Sequence, residues 1–285
     1  MVKLNLSLEL NYDIAAPGCD FIFNIQAAQT QCQTIVEENL QLNQPLTPDL
    51  YRDPWSGNRY LRLNALPGPF KLQYAATIEL AHFIMAPPQL LEVPISRLPG
   101  PVLQYLYPSR YCQSDRLHKL AVREFGHLWQ GYSRVQAIQD WVRNHVTFTS
   151  NTSNASTSAI DTLIDQVGVC RDFAHLMISL CRAVNIPARF ATGIDYGANQ
   201  LLGPTDFHAY VEVYLGNRWY IFDPSGVAIP MGFVRFATGR DAADAAFAML
   251  FGSVQSAQPI IAIQAVVDDE HVLPYHSADA LSTDN

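Results

Sequence analysis

The hydrophobic rhythm of this chain changes once, and that change limits the folds it can adopt. In "KLNLSLEL", Leu4, Leu6, Leu8 and Leu10 fall on one face of an extended strand. In "FKLQYAATIEL", Phe70, Leu72, Tyr74, Ala76, Ile78 and Leu80 share one face, and Lys71, Gln73, Thr77 and Glu79 share the other. "DFIFNIQ" is a third run of this kind. A period of two marks half-buried strands, and several such strands separated by turns predict a β-sandwich. From about Asp115 the period lengthens. Val135, Ile138, Trp141, Val142 and His145 follow at helical spacing, with Ser133 and Gln136 as a capping pair. Ser158 and Asp161 repeat the cap signal before "AIDTLIDQ".

Between the two rhythms lies the proline-rich stretch 86–108, which reads as a linker. Beyond the helical patterns come a short strand, "VTFT", a polar loop, "SNTSNASTS", and two longer strand patterns, "FHAYVEVYL" and "RWYIFDPSG". Helices followed by antiparallel strands predict an α+β class. The expected organisation is a β-sandwich-like unit over residues 1–105 and a core of helices packed on an antiparallel sheet over 106–270. A polar, aperiodic tail over 271–285 is expected to be disordered, and His271 and His276 within it are read as non-functional.

The chain has 285 residues, 49% hydrophobic and 15% charged, which suits a folded protein with a large core. Its formal net charge is -8 with no Lys/Arg block, so nucleic acid and anionic membranes are poor partners. The start, "MVKLNLSLELNY", has no basic segment followed by an apolar run, and no stretch approaches the ~18 apolar residues of a membrane span. The five cysteines, Cys19, Cys32, Cys112, Cys170 and Cys181, are scattered and odd in number. That pattern suits a reducing cytoplasm better than a disulfide framework or a structural zinc site. Asn151-Thr-Ser and Asn154-Ala-Ser match glycosylation sequons, but without an export signal they read as polar loop. The sequence leaves homo-oligomerisation open.

One thiol stands apart. In "DQVGVCRDFAHL", Cys170 falls where a helix begins. Unpaired amides and the positive end of the helix dipole would surround its sulfur and favour the thiolate. A merely buried cysteine is the competing reading. Cys181 is the internal control: it lies about 16 Å further along the same helix, among Leu180, Ala183 and Val184, with no dipole to help it. Arg171 and Asp172 could tune the thiol or simply stabilise the first turn.

A reactive thiol needs a base. His145 and His175 sit inside helix patterns and read as structural. His208 opens a strand that feeds a hairpin, with Gly216-Asn217 as a two-residue turn between Leu215 and Arg218. That register sets Tyr210 opposite Asp223. Tyr210 and His208 are two apart, so Asp223 shares the face of His208 one diagonal step away, about 7–8 Å between backbones. Asp223 before Pro224 could also be an ordinary turn residue. Taken together, Cys170, His208 and Asp223 make a nucleophile, its base and the group that orients the base. All three are also zinc-ligand types, but a cysteine at a helix start fits a nucleophile better.

"GVCRDFAHL" followed by "FHAYVEVYLGNRWYIFDPSG" resembles the bacterial transglutaminase-like superfamily, a papain-like group that includes cysteine proteases. "IQDWVRNHVTFT" matches the usual approach to its cysteine, and "YLYPSRYC" with the strand-rich front resembles the N-terminal β-region of bacterial members. The resemblance covers about residues 1–240. It implies Cys170 as nucleophile, His208 as general base and then acid, Asp223 as orienting group, and neither metal nor organic cofactor. It implies acyl transfer through a thioester on a peptide or protein substrate. The acceptor is left open: water gives hydrolysis, the expectation here, and an amine gives crosslinking. A non-catalytic peptide-binding module on the same fold is the alternative. For the oxyanion hole, the Cys170 amide is the natural donor, with Gln166 or Trp141 as candidate side chains.

Overall fold

The computed structural model describes residues 1–198 and 205–284. In chain order the strands are β1 (Val2–Ile14), β2 (Cys19–Phe23), β3 (Gln33–Leu42), β4 (Asp49–Arg52), β5 (Arg59–Ala65), β6 (Gly68–Leu80) and β7 (Phe83–Met85). Helices α1 (Ser114–Phe125) and α2 (Tyr132–His145) follow, then β8 (Thr147–Phe148), α3 (Ala159–Asp165), β9 (Val167–Gly168) and α4 (Cys170–Ala183). The remaining strands are β10 (Ala188–Asp195), β11 (Phe207–Leu215), β12 (Arg218–Phe222), β13 (Phe233–Gly239), β14 (Ala248–Phe251), β15 (Val254–Ser256), β16 (Ile260–Val266) and β17 (Ala280–Asp284).

The period-two segments form strands as their pattern requires. β1 and β6 pair antiparallel along their whole length, from Val2 opposite Leu80 to Ile14 opposite Gly68. Leu4, Leu6, Leu8 and Leu10 are each buried on the inner face, where each stabilises the fold by about 1.5–3 kcal/mol relative to exposure. β3 extends this sheet beyond β6, and β15 and β16 cover the far side of β1. A second sheet, β14-β2-β5-β4, packs against it. Tyr12 meets Phe21 at 5.1 Å between ring centroids, and Phe21 meets Phe70 at 5.4 Å.

The third sheet has the order β13-β10-β11-β12-β17-β7. Ala188, Phe190, Ala209, Val211 and Val213 from this sheet share a buried cluster with α4, whose residues from Asp172 to Ala183 are all buried. Ala191, Tyr210 and Phe233 instead join the cluster built by the sandwich strands. The sheet is therefore packed on both sides, and the class is α+β with a β-sandwich-like front, as expected.

Three details depart from the expected organisation. The tail is not disordered: β17 lies between β12 and β7, with Ala280, Leu281, Ser282 and Thr283 buried. Five residues are too few to carry a readable period, and what orders them is the pairing edge the sheet offers. Only Asn285 of the tail lies outside the described residues. Earlier in the tail, buried His271 contacts Asp268 at 2.7 Å and Glu79 at 3.4 Å, fastening the segment to β6. The boundary near residue 105 is also crossed by strand pairing. β14 pairs with β2, β15 and β16 pair with β1, and β7 completes the third sheet from the other direction. The proline-rich stretch forms short 3-10 turns, and Glu92 within it pairs with Arg134 of α2.

A buried ion network binds the third sheet across its width. Glu212 takes Arg189 at 2.6 Å and Arg235 at 3.1 Å, and Asp284 takes the same two guanidinium groups at 2.9 and 3.0 Å. Each charge is met by opposite charge, which is the condition for burying it at tolerable cost.

Candidate active site

Helix α4 begins where the sequence said it would. The Asp172 carboxylate accepts the Val169 N–H at 2.9 Å, closing the first turn. Gly168 permits this, because a Cβ there would come within 2.8 Å of the Asp172 side chain. Cys170 is therefore the first residue of the helix, partly exposed, with the positive end of the dipole at its sulfur. Asp172 has a structural job, and Arg171 donates to the Asn154 carbonyl at 2.6 Å. Cys181 and Cys112 are fully buried, and burial pushes the Cys112 thiol up to about 12 and Cys181 higher still.

The hairpin has the register expected from its two-residue turn. Leu215 pairs with Arg218 and Val211 with Phe222, so the strand direction carries Asp223 to the diagonal of His208. The Asp223 Oδ1 lies 3.5 Å from His208 Nε2. This is longer than a well-formed hydrogen bond, and such contacts often tighten only when substrate is bound. The same carboxylate accepts the Ser225 N–H at 3.0 Å, the Ser225 hydroxyl at 2.6 Å and the Ala228 N–H at 3.3 Å. Burial alone would raise its pKa. His208, Ser225 and the Gly226 amide outweigh burial and hold it below the usual aspartate value. Asp223 is thus both a turn residue and a partner of His208.

The other side of His208 holds a residue that sequence reasoning missed. Gly193 of β10 is paired directly with His208, so Asp195, two residues on, occupies the opposite diagonal. Its Oδ2 lies 3.7 Å from His208 Nδ1. Asp195 is 1% exposed, and beside His208 its polar neighbour is the buried Tyr210 hydroxyl, which favours the ionised carboxylate. Burial, opposed by His208 and by the Tyr210 hydroxyl, pushes it up to about 6. Gly193 is needed where β13 crowds β10: a Cβ would sit 1.9 Å from the Val234 carbonyl oxygen, beside the bulge between Thr192 and Gly193.

His208 is therefore flanked by carboxylates at the end of β10 and just past β12, with the Tyr210 ring edge-on at 4.6 Å. Burial would lower its pKa, but Asp195, then Cys170, and hydrogen bonds to Asp223 and Cys170 raise it well above normal. Cys170, His208 and Asp195 line one cavity of about 440 Å³. Cys170 and His208 also open onto a second of about 890 Å³. Neither Gln166 nor Trp141 lines either cavity. His145 stacks on Trp141, and His175 is buried against Tyr111 while accepting the Ala242 N–H, so both are structural. Among the described residues no three His, Cys, Asp or Glu side chains are grouped to hold a metal ion, and no helix is long and apolar enough to cross a membrane.

Comparison with known proteins places the chain in a family. Residues 121–224 match the transglutaminase-like superfamily, and residues 2–101 match the bacterial transglutaminase N-terminal domain. A solved structure from Cytophaga hutchinsonii, described as a "putative cysteine protease", is 40% identical with a TM-score of 0.91 and is covered over 97% of its length by 99% of this chain. An uncharacterised Mycobacterium leprae protein is 31% identical over 117 residues, which is 39% of this chain and 42% of that one. An uncharacterised Bacillus subtilis protein is 26% identical over 165 residues, 50% of this chain and 22% of that one. The chain thus matches less than half the length of either curated relative. With the core, the N-terminal β-region and a near-complete structural match in agreement, the chain belongs to the transglutaminase-like superfamily.

Proposed function

We propose that this protein is a thiol-dependent acyl-transfer enzyme acting on peptide or isopeptide amide bonds, and that water is its usual acceptor. The observation that carries the reading is a partly exposed thiol at a helix N-terminus, opening onto the same cavity as an imidazole whose far nitrogen faces an aspartate. In this mechanism His208 takes the proton of Cys170, the sulfur attacks the carbonyl carbon, and His208 then protonates the leaving nitrogen. Water attacks the thioester with His208 as base, releasing the acid. Asp223 is the positioning residue that holds the imidazole ring and offsets its charge. The Cys170 amide is the proposed oxyanion donor. Hydrolysis is favoured over amine crosslinking because Cys170 is partly exposed and water is the acceptor always at hand. Five unpaired thiols support a reducing, cytoplasmic setting.

Limiting iodoacetamide at about pH 6.5, with the product mapped by mass, tests the nucleophile. Cys170 is expected to react first and Cys170→Ala to have no turnover, because nothing else can form the thioester. Prior labelling of Cys112 or Cys181 would overturn the assignment. Incubation with a peptide library, with and without a primary amine, separates hydrolysis from crosslinking by product mass. Products that form only with the amine would make crosslinking the reaction.

A further inference from the structure

Asp223 meets His208 with no slack. Its Oδ1 stands 3.5 Å from Nε2, at the outer edge of useful hydrogen-bond geometry, so a small swing of the 223–228 turn would break the contact. Ser225 and Ala228 tie the carboxylate to the turn, but they do not tie the turn to the rest of the protein. That second task falls to α2. Its Tyr132 packs on Phe222, with ring centroids 5.0 Å apart. About three turns further along the helix, Arg143 reaches across, and its Nη2 donates to the Asp223 carbonyl at 2.8 Å. The guanidinium also lies against Gly226, where a Cβ would come within 2.8 Å of its Cζ and Nε. Gly226 has a φ of +69°, in the left-handed region, so both the backbone and the arginine demand glycine there. The Gly226 amide is one of the donors that hold the Asp223 carboxylate charged. A cation in the last turn of a helix has a simpler use, which is to offset the dipole. That use needs no approach to a neighbouring turn, and an exposed side chain gives up conformational freedom to make one.

We infer that Arg143 is a positioning residue for the reaction, fixing the 223–228 turn where the Asp223 carboxylate faces His208. The inference rests on the acyl-transfer reading. Arg143 lines neither cavity at Cys170, so it acts through Asp223 and not on the substrate. A planar guanidinium suits the task, because one nitrogen donates to the carbonyl while the rest of the group stays against Gly226. An ammonium is a point charge without that fork. With Arg143 removed, the turn loses this link to α2 and the carboxylate is free to drift from Nε2. A misplacement of about 1 Å, even from a change far from the chemistry, can cost about a hundredfold in rate. Arg143 also borders a separate cavity of about 280 Å³, shared with Gly226, Asp223 and His276, that neither Cys170 nor His208 lines. Truncating Arg143 enlarges this space, and a guanidinium ion from solution can take the vacated place.

The test compares Arg143→Ala and Arg143→Gln with the wild type by steady-state kinetics on any working acyl substrate, with circular dichroism as the folding check. In both variants kcat is expected to fall about tenfold to a hundredfold, with KM almost unchanged, because the loss reaches the chemistry and not the binding of substrate. Guanidinium chloride, at concentrations far below those that unfold proteins, should restore part of the kcat of Arg143→Ala. Methylammonium chloride, which supplies the charge without the fork, should not. Neither salt should raise the kcat of Asp223→Asn, where the group that Arg143 positions is itself gone. An unchanged kcat in a folded variant, a loss confined to KM, or a loss that guanidinium does not relieve would overturn the inference. An Arg143 that only stabilised the fold would lower the urea midpoint and leave the kcat of the folded protein unmoved, which also overturns it. Failure of the underlying reading looks different: wild-type Cys170 would not react with limiting iodoacetamide, and the inference would fall with that reading.

Discussion

Two aspartates flank His208, one at the end of β10 and one just past β12, and they are held in opposite ways. On the β12 side, Asp223 accepts three hydrogen bonds from Ser225 and Ala228 and is held below the usual aspartate value. On the β10 side, Asp195 has only the Tyr210 hydroxyl and the His208 ring beside it and is pushed up to about 6. Both are buried and both lie one diagonal step from the same imidazole. Burial therefore does not separate them. The local donors do, because a carboxylate ionises in a dry site only to the extent that donors replace its lost water. One side of the ring is held charged by its donors, and on the other burial outweighs the donors present.

The sharpest way to break this comparison is to remove charge from each side in turn. Asp223→Asn should cut turnover by about tenfold to a thousandfold while leaving the fold intact, because the ring loses its orienting anion. That is less than the roughly ten-thousandfold loss of the matching change in the serine-protease template, since a thiol is a better nucleophile than a hydroxyl. Single-turnover kinetics on any working acyl substrate would check it, and an unchanged rate would remove Asp223 from the mechanism.

The next largest effect strikes the β10 side alone. Gly193→Ala would force a Cβ to within 1.9 Å of the Val234 carbonyl oxygen, so β10 and β13 must part. Overpacking of this kind should cost about 3 kcal/mol or more, read as the shift in urea midpoint. A cost below about 1 kcal/mol would mean that the strands can separate easily there.

Asp195→Asn should act in the opposite direction on stability. The folded-state pKa of Asp195 is raised, from 3.8 to about 6, so the native state holds a proton that the unfolded chain has released. Stability from this group is present below about pH 4 and is lost as pH rises towards 6. At pH 7.5 the Asn variant should therefore be more stable than wild type by about 1–3 kcal/mol, with the gain vanishing near pH 4. Paired urea titrations at the two pH values would read it, and a pH-independent difference would count against a carboxylate whose burial outweighs its partners. The smallest effect is expected from Ser225→Ala, which removes one hydroxyl donor to Asp223. A loss of about 1 kcal/mol is expected, alongside a modest fall in turnover; an unchanged thermal midpoint would mean that water replaces the hydroxyl.

The contrast between the two aspartates also explains which part of the site was legible in the sequence. Asp223 could be placed because Gly216-Asn217 fixes a two-residue turn, and a turn of known length fixes register. Asp195 could not. The connection from β10 to β11 runs from residue 196 to 206, and a connection of that length leaves pairing parity open. No local pattern in "ARFATGID" says that its last residue faces a histidine thirteen positions on. The same reason hid the network of Arg189, Glu212, Arg235 and Asp284, whose members come from four strands. Cys170 was legible because a helix start is a local event, with Asp172 closing the turn. The leucines of β1 were legible because a period of two needs only one strand. The ordering of β17 was not, because it depends on the unpaired edges of β12 and β7, distant in the chain.

The difference between the two aspartates can be read directly from the carboxyl carbons. Protein labelled with 13C at the aspartate side chains would be titrated by NMR, with Asp195→Asn and Asp223→Asn spectra providing the assignments. The account predicts one signal with a midpoint near pH 6 that disappears in Asp195→Asn. It predicts a second, titrating below the ordinary aspartate range, that disappears in Asp223→Asn. Midpoints that coincide, or a midpoint near 6 that belongs to Asp223, would contradict it.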